Sequence, residues 1–170
     1  MERAAQTSET VDNMQADDRR EALPLRTSYV LARLTRIVQR RLEEALQPHE
    51  LTLPQYTTLT VLLRRPGLSN AQLARRAYVT PQSMQEVLRT LEERGLVARV
   101  ASADNLRILK VSLTAAGKRL VILAERDAAE VDEALLGSLT PFERKQFVKS
   151  IQKCVIGLGG GLQIPRPARR

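Results

Sequence analysis

Two short helical patterns joined by a brief turn constrain this fold more than any other feature of the sequence. The stretch NAQLARRAYVTPQSMQEVLRTLEERGLV, residues 70–97, contains both of them. Thr80 and Pro81 predict the start of the second helix, because threonine is a good N-cap and proline is tolerated in a first helical turn. Gly95 predicts its end, since glycine readily adopts the left-handed conformation that follows many helices. The spacing therefore predicts a helix-turn-helix in which the second helix protrudes.

The second helix is predicted to have one apolar and one polar face. At 100° per residue, the apolar side chains fall within a narrow arc; they are Met84, Val87, Leu88 and Leu91. The polar side chains are expected to face outward; they are Gln82, Glu86, Arg89 and Glu93, with Ser83 and Gln85 at the flanks. Amide, hydroxyl and guanidinium groups can hydrogen-bond the edges of bases. A plain helical hairpin with a solvated polar face is the alternative interpretation.

The pattern changes to alternation after Gly95. LVARVAS places Leu96, Ala98 and Val100 on one side, ADN is a turn signal, and LRILKVSLT alternates again. Two strands joined by a turn predict a hairpin directly after the protruding helix, which is the position of a wing. Arg107 lies near its tip, where a guanidinium can enter a minor groove.

The positive charge is concentrated on this predicted unit. The 170-residue chain has a net charge of +8, and residues 64–110 contain nine basic and four acidic side chains. Residues 115–158 contain seven basic and six acidic side chains. This distribution favours a phosphate-binding surface. Arg75 and Arg76, on the first of the two helices, are expected at the DNA backbone together with Thr80. A basic surface kept for solubility is the alternative explanation of the overall charge.

Longer helices flank the predicted reading unit. Thr52 and Gln55 predict a capping box, as do Thr140 and Glu143. Thr114 is expected to cap a helix from residue 115 to about 136. Its apolar stripe is predicted to contain Leu120, Leu123, Ala124, Ala128, Val131 and Leu135. The fold class is mostly α with a small β-hairpin (α+β), a winged helix-turn-helix flanked by N- and C-terminal dimerisation helices.

The expected organisation has four parts. Residues 1–22 form a flexible arm, 23–48 and 115–158 a helical dimerisation region, 50–114 the winged helix-turn-helix, and 159–170 a basic flexible tail. Ile151, Val155 and Leu158 are expected to need a partner surface. A twofold dimer places two reading helices about 34 Å apart, which requires double-stranded DNA with a palindromic operator.

Single residues exclude several classes of function. The chain has one cysteine and one histidine, too few for the usual catalytic triads or zinc sites. We expect no enzyme activity, no metal and no cofactor. His49 is predicted to be a solvated loop residue and Cys154 a buried small hydrophobe. The sequence has no signal peptide and no long apolar run, so a cytoplasmic protein that meets the nucleoid when bound to DNA is expected.

Three segments resemble the MarR family of bacterial transcriptional regulators. They are LTLPQYTTLTVL, LSNAQLARRAYVTPQSMQEVLRTLEERGLV and LRILKVSLTAAG, and the resemblance covers about residues 25–158. It implies a winged helix-turn-helix homodimer whose first and last helices form the interface, and a repressor of nearby genes that a small phenolic ligand releases. The wing of the family contains Asp-x-Arg. Arg107 matches the arginine, whereas Asn105 occupies the aspartate position and Asp104 precedes it.

An effector pocket is predicted between the dimerisation helices and the reading unit. Tyr29, Arg33, Arg36 and Tyr56 are its candidate lining, since a buried arginine suits the carboxylate of a small aromatic ligand. Solvated arginines on a helix surface are the alternative. Two other functions remain open: a winged-helix module that binds protein without an effector response, and an enzyme that acts on the small molecule.

Overall fold

Six helices and a small sheet form the part of the chain that the computed structural model describes, residues 26–101 and 109–160. The helices are α1 (Thr27–Leu46), α2 (Leu53–Arg64), α3 (Asn70–Ala77), α4 (Pro81–Glu93), α5 (Ala115–Leu136) and α6 (Pro141–Gly157). A 3-10 turn, Gln47–His49, follows α1. The strands are β1 (Leu68–Ser69), β2 (Val97–Ala101) and β3 (Leu109–Leu113).

The chain divides into two compact units, Met1–Ile37 and Val38–Arg170. The described part of the first unit is the beginning of α1, where Tyr29, Val30, Leu31 and Ile37 are exposed. The second unit contains the remaining elements. The predicted arm, residues 1–22, lies outside the described residues, as do residues 161–170 of the predicted tail and residues 102–108 between β2 and β3.

The helices begin at the residues that the sequence predicts as caps. Thr52 and Gln55 form the predicted capping box at α2, and Thr140 and Glu143 form the one at α6. Ser69 caps α3, where its hydroxyl accepts from the Gln72 N–H at 3.3 Å. Each of these caps satisfies a backbone N–H that has no partner within its own helix.

The sheet has the strand order β1-β3-β2, and both pairings are antiparallel. In the hairpin, Val97 lies opposite Leu113 and Ala101 opposite Leu109. The two-residue strand β1 was not predicted, because a strand this short has no period. The side of β2 that carries Ala98 and Val100 faces solvent, whereas Val97 is buried.

One core joins α2, the α3–α4 pair, the sheet and α5. Its fully buried side chains include Leu59, Leu62, Leu73, Met84, Leu88, Leu91, Val111 and Val121. Ala124 and Ala128 of the predicted α5 stripe are buried. The prediction that Leu123 belongs to this stripe was wrong, because its side chain is 49% exposed. Val121 is buried instead. The core holds α4 by one face only, which leaves the opposite face free to function.

Two predictions about single residues were also wrong. His49 is half-buried because the 3-10 turn brings its imidazole to α5, where Nε2 lies 2.7 Å from Oδ2 of Asp127. Cys154 is exposed. Ile151 and Val155 share one face of α6 and are half-buried, but Cys154 projects beside that face.

Candidate nucleic-acid interface

α4 presents its polar side chains as the sequence predicted. Met84, Leu88 and Leu91 are fully buried. The exposed side chains on the other side are Gln82, Ser83, Gln85, Glu86, Arg89 and Glu93. Thr80 is the N-cap, and its hydroxyl accepts from the Ser83 N–H at 3.1 Å. The helix therefore begins with amides and hydroxyls directed to solvent, which is the arrangement that a reading helix needs.

α3 is held against the start of α4 by a contact that the sequence did not reveal. The Asn70 side-chain amide donates to the Pro81 carbonyl at 2.9 Å. Tyr78 makes the turn between the helices with a positive φ of 55°, a conformation that is uncommon for residues other than glycine. This turn and the Asn70 bond fix the entry point of α4 relative to α3.

The two arginines of α3 differ in their surroundings. Arg75 is exposed, and Arg76 is half-buried and donates from Nη1 to the Gln72 carbonyl at 3.3 Å. On α4, Arg89 lies 3.0 Å from Glu93, and both side chains are mostly exposed. An exposed ion pair of this kind contributes little to stability, so Arg89 can exchange Glu93 for another acceptor at small cost.

The wing strand β2 contributes an arginine, Arg99, to which the sequence alone assigns no contact. The Arg99 side chain is 14% exposed, and its Nε lies 2.9 Å from a Glu92 carboxylate oxygen. It also reaches Gln85, one of the predicted reading residues, at 3.4 Å. Strand alternation signals its inward direction, since Arg99 is two residues from the buried Val97. Arg107, the predicted minor-groove residue, lies outside the described residues.

A second polar cluster lies between α2 and α5, around Glu125. The Tyr56 hydroxyl donates to Glu125 at 2.8 Å, the Thr60 hydroxyl lies 3.3 Å away, and Arg64 donates at 3.4 Å. Burial, and then the hydrogen bond and charge of Glu125, raise the pKa of the Tyr56 phenol well above its usual range. This cluster ties the reading unit to α5.

The predicted effector residues fall into both compact units. Tyr56 belongs to the cluster around Glu125, and Tyr29, Arg33 and Arg36 are exposed on the beginning of α1. Their assembly into one pocket stays a prediction. Over residues 26–101 and 109–160, no three or more His, Cys, Asp or Glu side chains are grouped to hold a metal ion. None of the helices in these ranges is long and apolar enough to span a membrane.

Comparison with known proteins identifies the family. The MarR family model matches residues 51–109. The HTH-type transcriptional repressor Rv2887 of Mycobacterium tuberculosis is 42% identical over 125 residues, which cover 74% of this chain and 90% of that protein.

Solved structures of Rv2887 share the fold. Its complex with DNA has a TM-score of 0.64 and 37% identity, and covers 75% of this chain and 96% of that chain. Its complex with salicylic acid has a TM-score of 0.63 and 40% identity, and covers 79% of this chain and 98% of that chain. The chain belongs to the MarR family and is a winged helix-turn-helix transcriptional regulator.

Proposed function

We propose that this protein is a dimeric repressor of nearby genes that binds a palindromic operator and is released by a small aromatic acid. One observation carries the DNA-binding part: α4 buries Met84, Leu88 and Leu91 and leaves its amides and hydroxyls exposed. Rv2887, which is named a repressor and has been solved with DNA and with salicylic acid, supports the repressor role and the response to an aromatic acid. The protein acts in the cytoplasm, at the nucleoid.

The predicted site residues divide into two roles. Bases are read by Gln82, Ser83, Gln85 and Arg89, and the DNA backbone is contacted by Thr80, Arg75 and Arg76, while Arg107 enters the minor groove. The exposure of the α4 side chains supports the first role, because base edges are reached only by groups that the core leaves free. The exposed Arg75 supports the second.

The domain boundaries follow from these roles. Residues 50–114 form the reading unit, and residues 23–48 and 115–158 form the dimerisation region. Exposed apolar side chains on α5 and α6, including Ile122, Phe142 and Ile156, support a partner surface there.

The effector part of the proposal concerns Tyr29, Arg33, Arg36 and Tyr56. An arginine pairs well with a carboxylate, and a tyrosine offers both a ring surface and a hydroxyl. The ligand would act on the cluster around Glu125, because the hydrogen bonds of this cluster join α2 to α5. An acid that binds beside Tyr56 shifts α2 relative to α5 and so changes the distance between the two reading helices of a dimer.

The test is selection of bound fragments from random DNA, repeated with a panel of phenolic and aromatic acids. A palindromic motif with half-sites one helical turn apart, lost when one acid is added, is the expected result. Gln82→Ala should flatten one base position in each half-site while binding to random DNA is retained. Gln146→Ala, which removes an exposed glutamine from α6, is the matched control. Failure to enrich any motif, together with a stable complex with another protein, would support a protein-interaction module instead.

A further inference from the structure

The guanidinium of Arg99 lies between the wing and the reading helix. It projects from β2, is 14% exposed, and has its Nε 2.9 Å from Glu92. Its Nη1 donates to Oε1 of Gln85 at 3.4 Å. Gln85 and Glu92 are seven residues apart on α4 and therefore lie on the same side of that helix. Arg99 is thus restrained by an ion pair with Glu92 and by burial, and it lies beside Gln85.

This contact settles which end of the Gln85 amide faces the protein. An arginine has N–H donors and no acceptor, so only the carbonyl oxygen of the glutamine amide can face it. The side-chain NH₂ group then points away from Arg99. Gln85 is exposed at the flank of the predicted reading face. Its outward-facing group is therefore a donor pair, and its carbonyl oxygen is directed toward Arg99.

The consequence is a preference among bases. A glutamine that is free to orient binds adenine with two bonds, its oxygen accepting from N6 and its nitrogen donating to N7. A glutamine whose oxygen is turned inward toward an arginine presents its N–H donors to the groove. Guanine presents two acceptors in the major groove, O6 and N7, and thymine presents O4. Adenine presents one acceptor, N7, beside an amino group that repels a donor, and cytosine presents an amino group alone.

We infer that Arg99 is a positioning residue that fixes the amide of Gln85, so that Gln85 selects guanine or thymine over adenine and cytosine. The inference rests on the proposed function, since it requires α4 to lie in a major groove. It goes beyond that function by naming the base class at one operator position and a residue that sets it without contacting the base.

Selection from random DNA with the full-length protein tests the inference. Gln85→Ala identifies the position, because only that position should lose its preference. In the unmodified protein, guanine or thymine should be favoured there over adenine by about fivefold or more, the lower range for a specific contact. Gln85→Glu keeps the contact with Arg99 but presents an acceptor outward, so the preference should change to cytosine or adenine.

Variants of Arg99 separate positioning from a purely structural role. Arg99→Leu frees the Gln85 amide, and adenine should rise at that one position to at least the level of guanine. Arg99→Lys retains a donor and should restore the original preference. Arg126→Leu, which removes an exposed arginine from α5, is the control for the loss of one charge. The thermal unfolding midpoint of each variant shows whether it folds. If Arg99→Leu does not fold, the change of base preference in Gln85→Glu tests the inference instead.

Three results would overturn the inference. An unmodified protein that prefers adenine at the Gln85 position contradicts it directly. An unchanged preference in Arg99→Leu shows that Arg99 does not set it. A motif that Gln85→Ala leaves intact at every position removes Gln85 from base reading, although the protein still binds its operator. Absence of any motif in the unmodified protein instead defeats the proposed function, and the inference with it.

Discussion

Gly117 lies at the start of α5, against the backbone of Leu96. A β-carbon at Gly117 would lie 2.0 Å from the Leu96 carbonyl oxygen. That oxygen cannot easily move, because it accepts from the backbone N–H of Thr114 at 3.1 Å. The position therefore requires a residue without a side chain, and the close approach joins α5 to the segment that follows the reading helix.

We expect Gly117→Ala to lower the free energy of unfolding by about 3 kcal/mol, because an extra methyl group in a packed site forces backbone to shift. Denaturant unfolding measures the change. Gly157→Ala is the matched control, since a β-carbon at Gly157 has no atom within 4 Å. The control should be neutral or stabilise by up to about 1 kcal/mol, from helix propensity alone. Equal stability of the two variants would contradict the close packing at Leu96.

The phenol of Tyr56 makes stability depend on alkaline pH. Its folded-state pKa is raised by burial and by Glu125, so the folded protein keeps this proton when the unfolded chain has lost it. Its stabilising effect is complete below the unfolded pKa and is lost as pH rises above it. We expect Tyr56→Phe to reduce the fall in unfolding free energy above about pH 10. Urea unfolding across that range measures it, and parallel curves for the two proteins would contradict the assignment.

Sequence reasoning succeeds for residues whose role is local. The caps at Thr52, Thr80 and Thr140 were predicted because each contact spans three residues of chain. The prediction that His49 is solvated was wrong because its partner, Asp127, is 78 residues away in the sequence. Arg99 was counted as charge alone for the same reason, since the strand that carries it meets α4 only in the folded molecule.

At the scale of elements, α4 is held at both ends by contacts with neighbours. Thr80 caps its N-terminus. At its C-terminus, Arg94 donates to the backbone carbonyls of Glu50 at 2.6 Å and His49 at 3.3 Å. The segment between α1 and α2 is thereby bound to the end of the reading helix. A helix fixed at both ends keeps its polar face turned in one direction.

We expect Thr80→Ala to lower the free energy of unfolding by about 1 kcal/mol, because the Ser83 N–H loses its acceptor. Thr80→Ser restores a hydroxyl and should recover most of the loss. Amide hydrogen exchange at the first turn of α4 reports the change where it occurs. Unchanged exchange there in Thr80→Ala would mean that the cap does not hold the helix start.

The faces of helices were more predictable than the faces of strands. α4 has 13 residues, more than three turns over which the apolar stripe can repeat, and Met84, Leu88 and Leu91 of its predicted apolar face are buried. β2 has five residues, and its alternation alone does not reveal which side is buried. The prediction that Leu123 is buried was wrong for a related reason. Val121 and Leu123 are both apolar, and only packing against the α2–α4 core determines which of them is buried.

At the scale of the whole molecule, the excess of positive charge lies on the reading unit and makes DNA binding depend on salt. Each phosphate contact releases condensed counterions, so the affinity falls with salt in proportion to the number of contacts. We expect Arg107→Ala to weaken binding to all sequences and to lower the slope of log affinity against log salt by about one unit. Lys118→Ala, an exposed lysine of α5, should leave the slope unchanged. A slope unaffected by the loss of Arg107 would remove that residue from the phosphate and groove contacts.

The apolar surface at the end of α6 bears on how whole molecules associate. Ile156 is 61% exposed and Leu158 is 90% exposed at the end of α6. Exposed apolar groups that cluster at an element end indicate an association surface. The sequence predicted a partner surface that includes Leu158. It could not predict which side chains the partner covers, because that depends on the elements of the partner that pack against α6.

We therefore expect the double substitution Ile156→Asp and Leu158→Asp to convert the dimer to a monomer, since two buried carboxylates carry a large desolvation cost. Light scattering coupled to size exclusion measures the mass. Ala71→Asp, which adds a charge at an exposed position of α3, is the control and should leave the mass unchanged. The monomer should bind a single half-site weakly and lose its preference for two half-sites at fixed spacing, because that preference comes from two reading helices held in one particle. A variant that stays dimeric would place the partner surface elsewhere on α1, α5 or α6.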